Sequence, residues 1–202
     1  MSLVWEGLST RLPGRIVVLE PLAPAHEAGL LDAAKRSNWG LMPENPTGDA
    51  VAFAAWLERA LAAAAAGVEV PFTTVSAETG LPLGSTRYLN LRPEHRVLEI
   101  GWTWLASDAW NSGANVEAKL LMLEHAFERH GCLRVEFKTD ALNERSRRAL
   151  AALPAEFEGV FRKHMLVRGG ERRDSAWYAI VDDDWPAVRA NLERRLAAAA
   201  RR

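Results

Sequence analysis

The sequence predicts a single α/β domain with a mixed, mostly antiparallel central sheet and helices on both faces. Three observations favour this class: strand-like and helix-like segments alternate, three strand candidates follow one another across short turns, and a strand–helix–strand crossover comes next. The 202 residues can bury one core without requiring a second domain. We therefore expect one domain over 1–202, with a core of about 15–181 and a C-terminal helix of about 185–200.

The first part of the chain predicts one strand and two helices. Residues Arg15–Glu20 are rich in β-branched apolar side chains, which is typical of a strand. Pro24 opens an alanine-rich segment that runs to Arg36, and proline is common in the first turn of a helix. After the breaker Pro43–Gly48, the segment Asp49–Ala66 carries apolar residues at helical spacing and predicts the second helix.

The middle of the chain predicts three strands and a helix. Phe72–Ala77, Leu83–Leu91 and Arg96–Leu105 read as strands, and their short links favour an antiparallel meander. The segment after Gly113 has one apolar and one charged face, so we expect a helix that ends near Gly131.

The last part predicts three strands and two helices. Leu133–Lys138 alternates apolar and charged residues, as a strand with one buried face does. Asn143–Leu150 is a short helix, and Phe157–Val167 and Ser175–Val181 are strand candidates joined by a glycine turn. A final helix begins near Trp185.

Composition narrows the class of function. The formal net charge of -1 argues against a protein that mainly binds nucleic acid. The single cysteine, Cys132, fits a reducing compartment and is expected to be a core thiol. We expect no leader, no membrane span and a cytoplasmic location. The five histidines lack compact metal-ligand spacing, so we propose no metal site.

The turn Trp110–Glu117 joins a strand candidate to an amphipathic helix through Gly113. A helix N-terminus exposes unpaired N–H groups and carries partial positive charge, so an anion can bind there without a basic side chain. A plain strand-to-helix turn with a convenient glycine is the alternative for this motif taken alone.

Two motifs together resemble the GNAT N-acetyltransferase superfamily, and its RimJ/RimL-like branch of ribosomal-protein acetyltransferases in particular. The first is the strand Leu98–Leu105 leading into Gly113 and its helix. The second is Asn143, which follows the strand end Lys138–Asp140 and precedes Ser146 by three residues. The similarity extends from about residue 15 to residue 181.

The resemblance implies acetyl-coenzyme A (acetyl-CoA) as co-substrate. Backbone amides of the glycine turn would hold its pyrophosphate, free backbone groups of the Trp-rich strand would pair with the pantetheine arm, and the Asn/Ser pair would contact that arm near the thioester. The residues implied are Trp104, Leu105, Gly113, Ala114, Asn115, Val116, Asn143 and Ser146. The chain departs from the family motif at Trp110, where a basic or amide residue is usual, and at Asn115, where a small one is. For the Asn/Ser pair, an N-cap with a neighbouring surface serine is the alternative.

Two residues are candidates for the chemistry of acetyl transfer. Glu99 is expected to share its strand face with Gly101 and Thr103, away from Ile100, Trp102 and Trp104, and could accept the proton of an amine. A salt-bridging glutamate is the alternative. Ser146 could assist the departing thiolate, because the tyrosine that many family members use for this step is not evident after Asn143.

Aromatic and basic residues are candidates for binding the acceptor. They are Trp39, Phe72, Arg87, Tyr88 and Trp177. Arg87 could bind a substrate carboxylate or pair with Glu99, and Trp39 and Trp177 could instead pack in the core.

The sequence thus predicts an acetyl-CoA-dependent N-acetyltransferase that acts on a primary amine, either a peptide N-terminus or a small amine, by direct transfer in a ternary complex. The alternative is a non-catalytic module that binds or senses acyl-CoA on the same fold. We expect a monomer or a homodimer, with neither nucleic acid nor membrane as partner.

Overall fold

A computed structural model describes residues 5–199, in which an eight-stranded sheet is accompanied by five α-helices. The strands are β1 Leu12–Pro13, β2 Val17–Pro21, β3 Val70–Ser76, β4 Pro82–Arg92, β5 Val97–Leu105, β6 Arg134–Asp140, β7 Glu156–Val167 and β8 Glu171–Val181. The helices are α1 Glu27–Lys35, α2 Ala50–Ala65, α3 Ala114–Glu124, α4 Glu144–Ala152 and α5 Trp185–Ala199. The sheet order is β1-β2-β3-β4-β5-β6-β8-β7, and β5–β6 is the one parallel pair among the described strands. The mixed, mostly antiparallel sheet is confirmed.

Helices pack on both faces of the sheet, as predicted. On one face, Met122 of α3, Leu150 of α4 and Leu192 of α5 belong to one apolar cluster with the sheet. On the other face, α1 and α2 form a second cluster, in which Trp56 meets Trp104 of β5. The sheet is therefore the middle layer of a three-layer domain.

The observed elements differ from the predicted ones in three places. β8 begins at Glu171, four residues before the predicted start. The helix after Gly113 leaves the α conformation at Glu124 and ends in a π-helical turn, His125–Arg129. A short edge strand, β1, was not predicted, because two residues carry no periodic pattern. Residues 1–4 and 200–202, which include the predicted end of the last helix, lie outside the described residues. Over 5–199, no helix is both long and apolar enough to cross a membrane.

Glu117, in the first turn of α3, ties that helix to the beginning of β2. Its carboxylate accepts hydrogen bonds from the backbone N–H groups of Arg15 at 3.0 Å, Ile16 at 2.6 Å and Val17 at 2.7 Å. A carboxylate satisfies such donors strongly, and its negative charge also suits a helix N-terminus. The N-terminus of α3 is thereby fixed against the sheet.

Lys119 lies two residues further along α3 and is buried against the middle of the sheet. Its Nζ donates to Thr103 Oγ1 at 2.7 Å and to Thr86 Oγ1 at 3.4 Å. No carboxylate of residues 5–199 forms an ion pair with it, and burial lowers the pKa of its ammonium group to about 7. A buried lysine with hydroxyl partners alone costs stability, since desolvation disfavours its charged form.

Replacing Lys119 should stabilise the fold in a pH-dependent way. The unfolded lysine keeps its proton up to a pKa of roughly 10.4, whereas the folded one loses it near 7, so the unfolded state binds more protons between these values and wild-type stability rises with pH. Lys119→Met should therefore raise the free energy of unfolding, and this gain should shrink by about 1.5 kcal/mol between roughly pH 7 and 8.5. Urea denaturation at both pH values measures the gain.

The exposed Lys35, on α1, offers a matched control. Lys35→Met should change the free energy of unfolding by the same small amount at both pH values. A Lys119→Met gain that does not vary with pH would contradict the burial of a titrating ammonium group.

Candidate functional site

A wedge-shaped cleft opens in the middle of the sheet between β5 and β6. Their parallel pairing covers only Val97–Glu99 against Arg134–Glu136. Beyond Glu99, β5 continues to Leu105 paired with β4, and β6 continues to Asp140 paired with β8. The splaying that the resemblance implied is therefore confirmed, and the backbone edges of two strands border the cleft.

A β-bulge at Trp102 changes the direction of β5 at this point. Trp102 has a φ of 50°, and pairing with β4 jumps from Arg87↔Gly101 to Ser85↔Trp104, so that two residues of β5 oppose one of β4. A bulge bends its strand and reverses the alternation of side chains beyond it.

The bulge overturns the predicted face assignment of β5. Thr103 points toward α3, where its Oγ1 lies 2.8 Å from Thr86 Oγ1 and accepts from Lys119. Trp104 points to the opposite side and packs on Trp39, with ring centroids 5.0 Å apart. The prediction that Thr103 shares a face with Glu99 is wrong, because the sequence pattern does not reveal the extra residue.

Beyond the bulge, the residues of β5 with backbone groups free to pair with a pantetheine arm also differ from the predicted ones. Ala106 N donates to Leu83 O of β4 at 2.8 Å. Because alternate residues of an antiparallel strand address the same neighbour, Trp104 directs its backbone groups to β4, whereas Leu105 directs its own to the cleft. The Leu105 carbonyl accepts from the Trp110 indole N–H at 3.1 Å. Leu105 and Thr103, rather than Trp104, present backbone groups to the cleft.

The N-terminus of α3 lies at the open end of this cleft. Gly113 is the N-cap with a φ of 93°, and the helix has no side-chain cap. The N–H of Ala114 donates to Ser112 Oγ at 3.2 Å, while those of Asn115 and Val116 belong to the first turn, which has no intrahelical acceptors. These amides could bind an anion.

Gly113 itself is required by packing. A Cβ on Gly113 would lie 2.8 Å from Ile16 Cδ1, and its positive φ also disfavours other residues. The position that a Cβ would take at Gly113 therefore faces the core. The side chain of Ala114 is likewise fully buried, so backbone N–H groups are what this turn offers a ligand.

A basic side chain approaches the same turn from α4. The Arg145 guanidinium lies 3.8 Å from the centre of the Trp110 ring, and burial lowers its pKa. The structure thus places a cation beside Trp110 from a residue that is distant in sequence.

Asn143 and Ser146 lie where β6 leads into α4. Asn143 is the N-cap of α4, and its Oδ1 accepts from the Ser146 N–H at 3.0 Å. The N-cap alternative is therefore correct for Asn143. Its amide nitrogen and the half-buried Ser146 hydroxyl remain available as donors beside the cleft.

Glu99 is the buried acid at the closed end of the cleft. Its side chain is 1% exposed, and it accepts from Asn90 Nδ2 at 2.6 Å and from Lys138 Nζ at 3.0 Å. Burial raises the pKa of its carboxyl group, and Lys138 and Asn90 partly counteract this effect. A carboxyl group with a raised pKa can exchange protons near neutral pH.

An aromatic wall stands beside Glu99 on β7 and β8. Trp177 has the Lys138 ammonium 5.3 Å from its ring centre, and Phe161 packs against it at a tilt, with centroids 5.0 Å apart. His164 lies next to both and shares a hydrogen bond of 3.0 Å between its Nδ1 and Ser175 Oγ. Trp177 is the one predicted acceptor-binding residue that lies on this wall.

The other four predicted acceptor-binding residues lie elsewhere. Phe72 and Tyr88 are fully buried in the core under α3, where Tyr88 Oη donates to Met122 O at 2.7 Å. Trp39 is buried against Trp104 and donates to Ala34 O at 2.9 Å. These three are packing residues, since an aromatic side chain serves a core as readily as a pocket.

Arg87 also has its interaction partners within the protein. It forms an ion pair of 2.6 Å with Glu69 and stacks over the rings of Trp56 and Trp102. It therefore pairs neither with Glu99 nor with a substrate carboxylate in this structure, because Glu69 already supplies its carboxylate.

Four residues near the cleft escaped the sequence reasoning. Lys138 and Lys119 appear in the sequence as ordinary polar positions of a strand and a helix. The contact of Arg145 with Trp110 was not predicted, because the two residues are far apart along the chain. Arg173 lay outside the predicted strands, because β8 was predicted to start at Ser175. No group of three or more His, Cys, Asp or Glu suited to a metal occurs among residues 5–199.

Comparison with known proteins identifies the family. Residues 17–155, well over half of the chain, match the family model described as an acetyltransferase (GNAT) domain. The chain is 28% identical to a GCN5-related N-acetyltransferase from Brucella melitensis, covering 92% of this chain and 85% of that one at a TM-score of 0.84. It is 39% identical to a candidate acetyltransferase from T. thermophilus, with 92% and 96% covered and a TM-score of 0.81.

A more distant likeness concerns the fold alone. The ribosomal-protein-S5-alanine acetyltransferase from Vibrio fischeri is 17% identical, with 87% of this chain and 98% of that one covered and a TM-score of 0.67. A search of curated proteins finds no match. Members of the matched family transfer acyl groups from acetyl-CoA. The chain belongs to the GNAT acetyltransferase family and is an N-acetyltransferase.

Proposed function

We propose that this protein transfers the acetyl group of acetyl-CoA directly to a primary amine, with both substrates bound at once. The observation that carries the proposal is the cleft, which has the buried Glu99 at its closed end and the N-terminus of α3 at its open end. The amine belongs to a small molecule or to a peptide N-terminus. The whole chain serves as one acetyltransferase domain, and the single buried Cys132 suits a cytoplasmic protein.

The pyrophosphate of acetyl-CoA would be held at the N-terminus of α3. The N–H groups of Asn115 and Val116 supply the donors, and Arg145 supplies a cation close to Trp110. The pantetheine arm would add to the free edge of β5, where Thr103 and Leu105 address the cleft, in the manner of an added strand. Asn143 would donate to the arm from the opposite edge.

Glu99 would receive the proton of the attacking amine. The amine nitrogen forms a bond to the thioester carbonyl carbon, and the nitrogen loses a proton through a bridging water, because the Glu99 side chain is too buried for direct contact with a bulky acceptor. Strand amides of β5 would stabilise the oxyanion. The carbon–sulfur bond then breaks; the Ser146 hydroxyl would donate a hydrogen bond to the departing thiolate, which takes up a proton from water.

Direct transfer is favoured over an acetylated enzyme because a suitable thiol nucleophile is missing from residues 5–199. Cys132 is 2% exposed, and burial raises its pKa to about 12. A thiol needs its thiolate form to attack a thioester, and this form is scarce at neutral pH for such a group.

The function is tested by following release of the coenzyme A thiol with a panel of small primary amines and short peptides. We expect release that requires both acetyl-CoA and an amine, and initial-velocity lines that intersect, as a ternary complex demands. The mass of the protein should stay unchanged when acetyl-CoA is supplied alone. Thermal stabilisation by acetyl-CoA without release for any amine would contradict the proposal, as would a mass increase of one acetyl group.

Replacing Glu99 should remove the fall of kcat/KM at acidic pH, which is the acidic limb of its pH profile. Glu99→Gln keeps the shape but cannot take a proton, so we expect kcat/KM at neutral pH to fall by about 100-fold or more. In the wild type, kcat/KM should rise with pH through the raised pKa of Glu99.

Substitutions at two neighbours of Glu99 serve as controls, because they should shift the acidic limb of kcat/KM in opposite directions. Lys138→Met removes a cation that lowers the pKa of Glu99, so the acidic limb should move to higher pH. Glu136→Gln removes a negative charge that raises this pKa, so the limb should move slightly to lower pH. A Glu99→Gln enzyme with an unchanged profile would remove Glu99 from the chemistry.

A further inference from the structure

Arg173 is a buried cation without a protein partner. It is 5% exposed, yet among residues 5–199 its guanidinium donates no hydrogen bond and forms no ion pair, and its Nε is a buried donor left unpaired. Buried polar groups in proteins are almost always hydrogen-bonded, and a buried charge is usually paired. An arginine in this state is expected where a ligand supplies the missing acceptor.

The position of Arg173 on β8 places it on the face of the sheet that holds Glu99. Arg173, Ser175 and Trp177 alternate along one face of β8, and Trp177 and Ser175 pair with Lys138 and Asp140 of β6. Burial lowers the pKa of Arg173, and the charges of Asp140 and Glu99 partly counteract this effect. Both carboxylates therefore lie within electrostatic range of its guanidinium.

The cations around Arg173 have carboxylate partners, whereas Arg173 has none among residues 5–199. Lys138 is paired with Glu99 at 3.0 Å, and Arg168 is paired with Asp140 at 3.2 Å and with Glu171 at 2.8 Å. The pKa of His164 is lowered by burial and by the nearby cations, so this side chain adds no charge at neutral pH. The guanidinium of Arg173 stays protonated in any protein environment. A group with a single negative charge would complement this guanidinium.

Resting on the acetyltransferase function proposed above, we propose that Arg173 binds a carboxylate of the acceptor, which is a primary amine with one carboxylate at the far end of an apolar or aromatic body. A carboxylate matches both the single charge and the planar fork of a guanidinium. Trp177 and Phe161 supply flat apolar surface beside the path from Glu99 to Arg173.

The spacing along β8 leaves room for a body between the two polar ends of an acceptor. Arg173 is four residues from Trp177, which corresponds to about 13 Å between their α-carbons. Lys138, paired with Trp177 in the sheet, reaches Glu99 with its Nζ. An apolar or aromatic body between the amine and the carboxylate would lie along Trp177 and Phe161.

The proposal is tested with matched acceptors that differ in one charge. Primary amines are offered as carboxylate and amide pairs, for example 4-(2-aminoethyl)benzoic acid and 4-(2-aminoethyl)benzamide. The wild type should favour the carboxylate member in kcat/KM by about 10- to 100-fold, as a charge-assisted bidentate contact warrants. Arg173→Met should abolish this preference. The kcat/KM for the carboxylate member should fall, and the kcat/KM for the amide member should stay unchanged.

Arg172→Met is the matched control, because Arg172 is exposed on the other face of β8 and should leave the preference intact. If Arg173→Met does not fold, Arg173→Lys retains the charge without the fork and should show an intermediate preference. Equal loss on both members of a pair, or no wild-type preference, would overturn the proposal while leaving amine acetylation intact. Failure of the wild type to release coenzyme A with any amine would instead reject the proposed function.

Discussion

The extra residue at Trp102 is the constraint on which the rest of the site depends. Parallel strands that stay in register would close the sheet between β5 and β6, and no substrate could enter. The bulge bends β5 away after Glu99, so the two strands end pairing at that residue. It also reverses the side chains beyond it, which sends Thr103 to α3 and Trp104 to the cluster around α1 and α2. Cleft and core are therefore set by the same local distortion.

Two buried charges on α3 hold this arrangement in place. Glu117 fixes the first turn of α3 to the backbone of residues 15–17, and Lys119 binds the hydroxyl of Thr103 just after the bulge. Apolar side chains at either position would avoid a desolvation cost, but they would not specify where the helix N-terminus lies relative to the bent strand. The buried charges thus cost stability, but they fix the position of the amides that could bind pyrophosphate.

The fold followed from the sequence because its signals are periodic. Alternation in Leu133–Lys138 and the apolar stripe after Gly113 each reflect one buried face, and the pattern repeats over several residues. The site was less accessible because single residues decide it. The sequence pattern does not reveal the extra residue at Trp102, so Thr103 was predicted on the wrong face. β8 begins four residues before its predicted start, so Arg173 lay outside the predicted strand. Phe72 and Tyr88 looked suited to a pocket, since residue type does not distinguish a core aromatic from an exposed one.

Under the proposed function, the two substrates would reach the cleft from opposite faces of the sheet. The N-termini of α3 and α4 lie at its open end, and these helices belong to one face of the sheet. Glu99, Lys138 and Trp177 lie on the other face, next to the unpaired Arg173. A donor at the helix N-termini and an acceptor at the charged face would meet only within the wedge, so neither has to leave before the other binds. This geometry favours a reaction in which the amine attacks while the thioester is still bound, and in which acceptor selectivity depends on a face that the donor does not occupy.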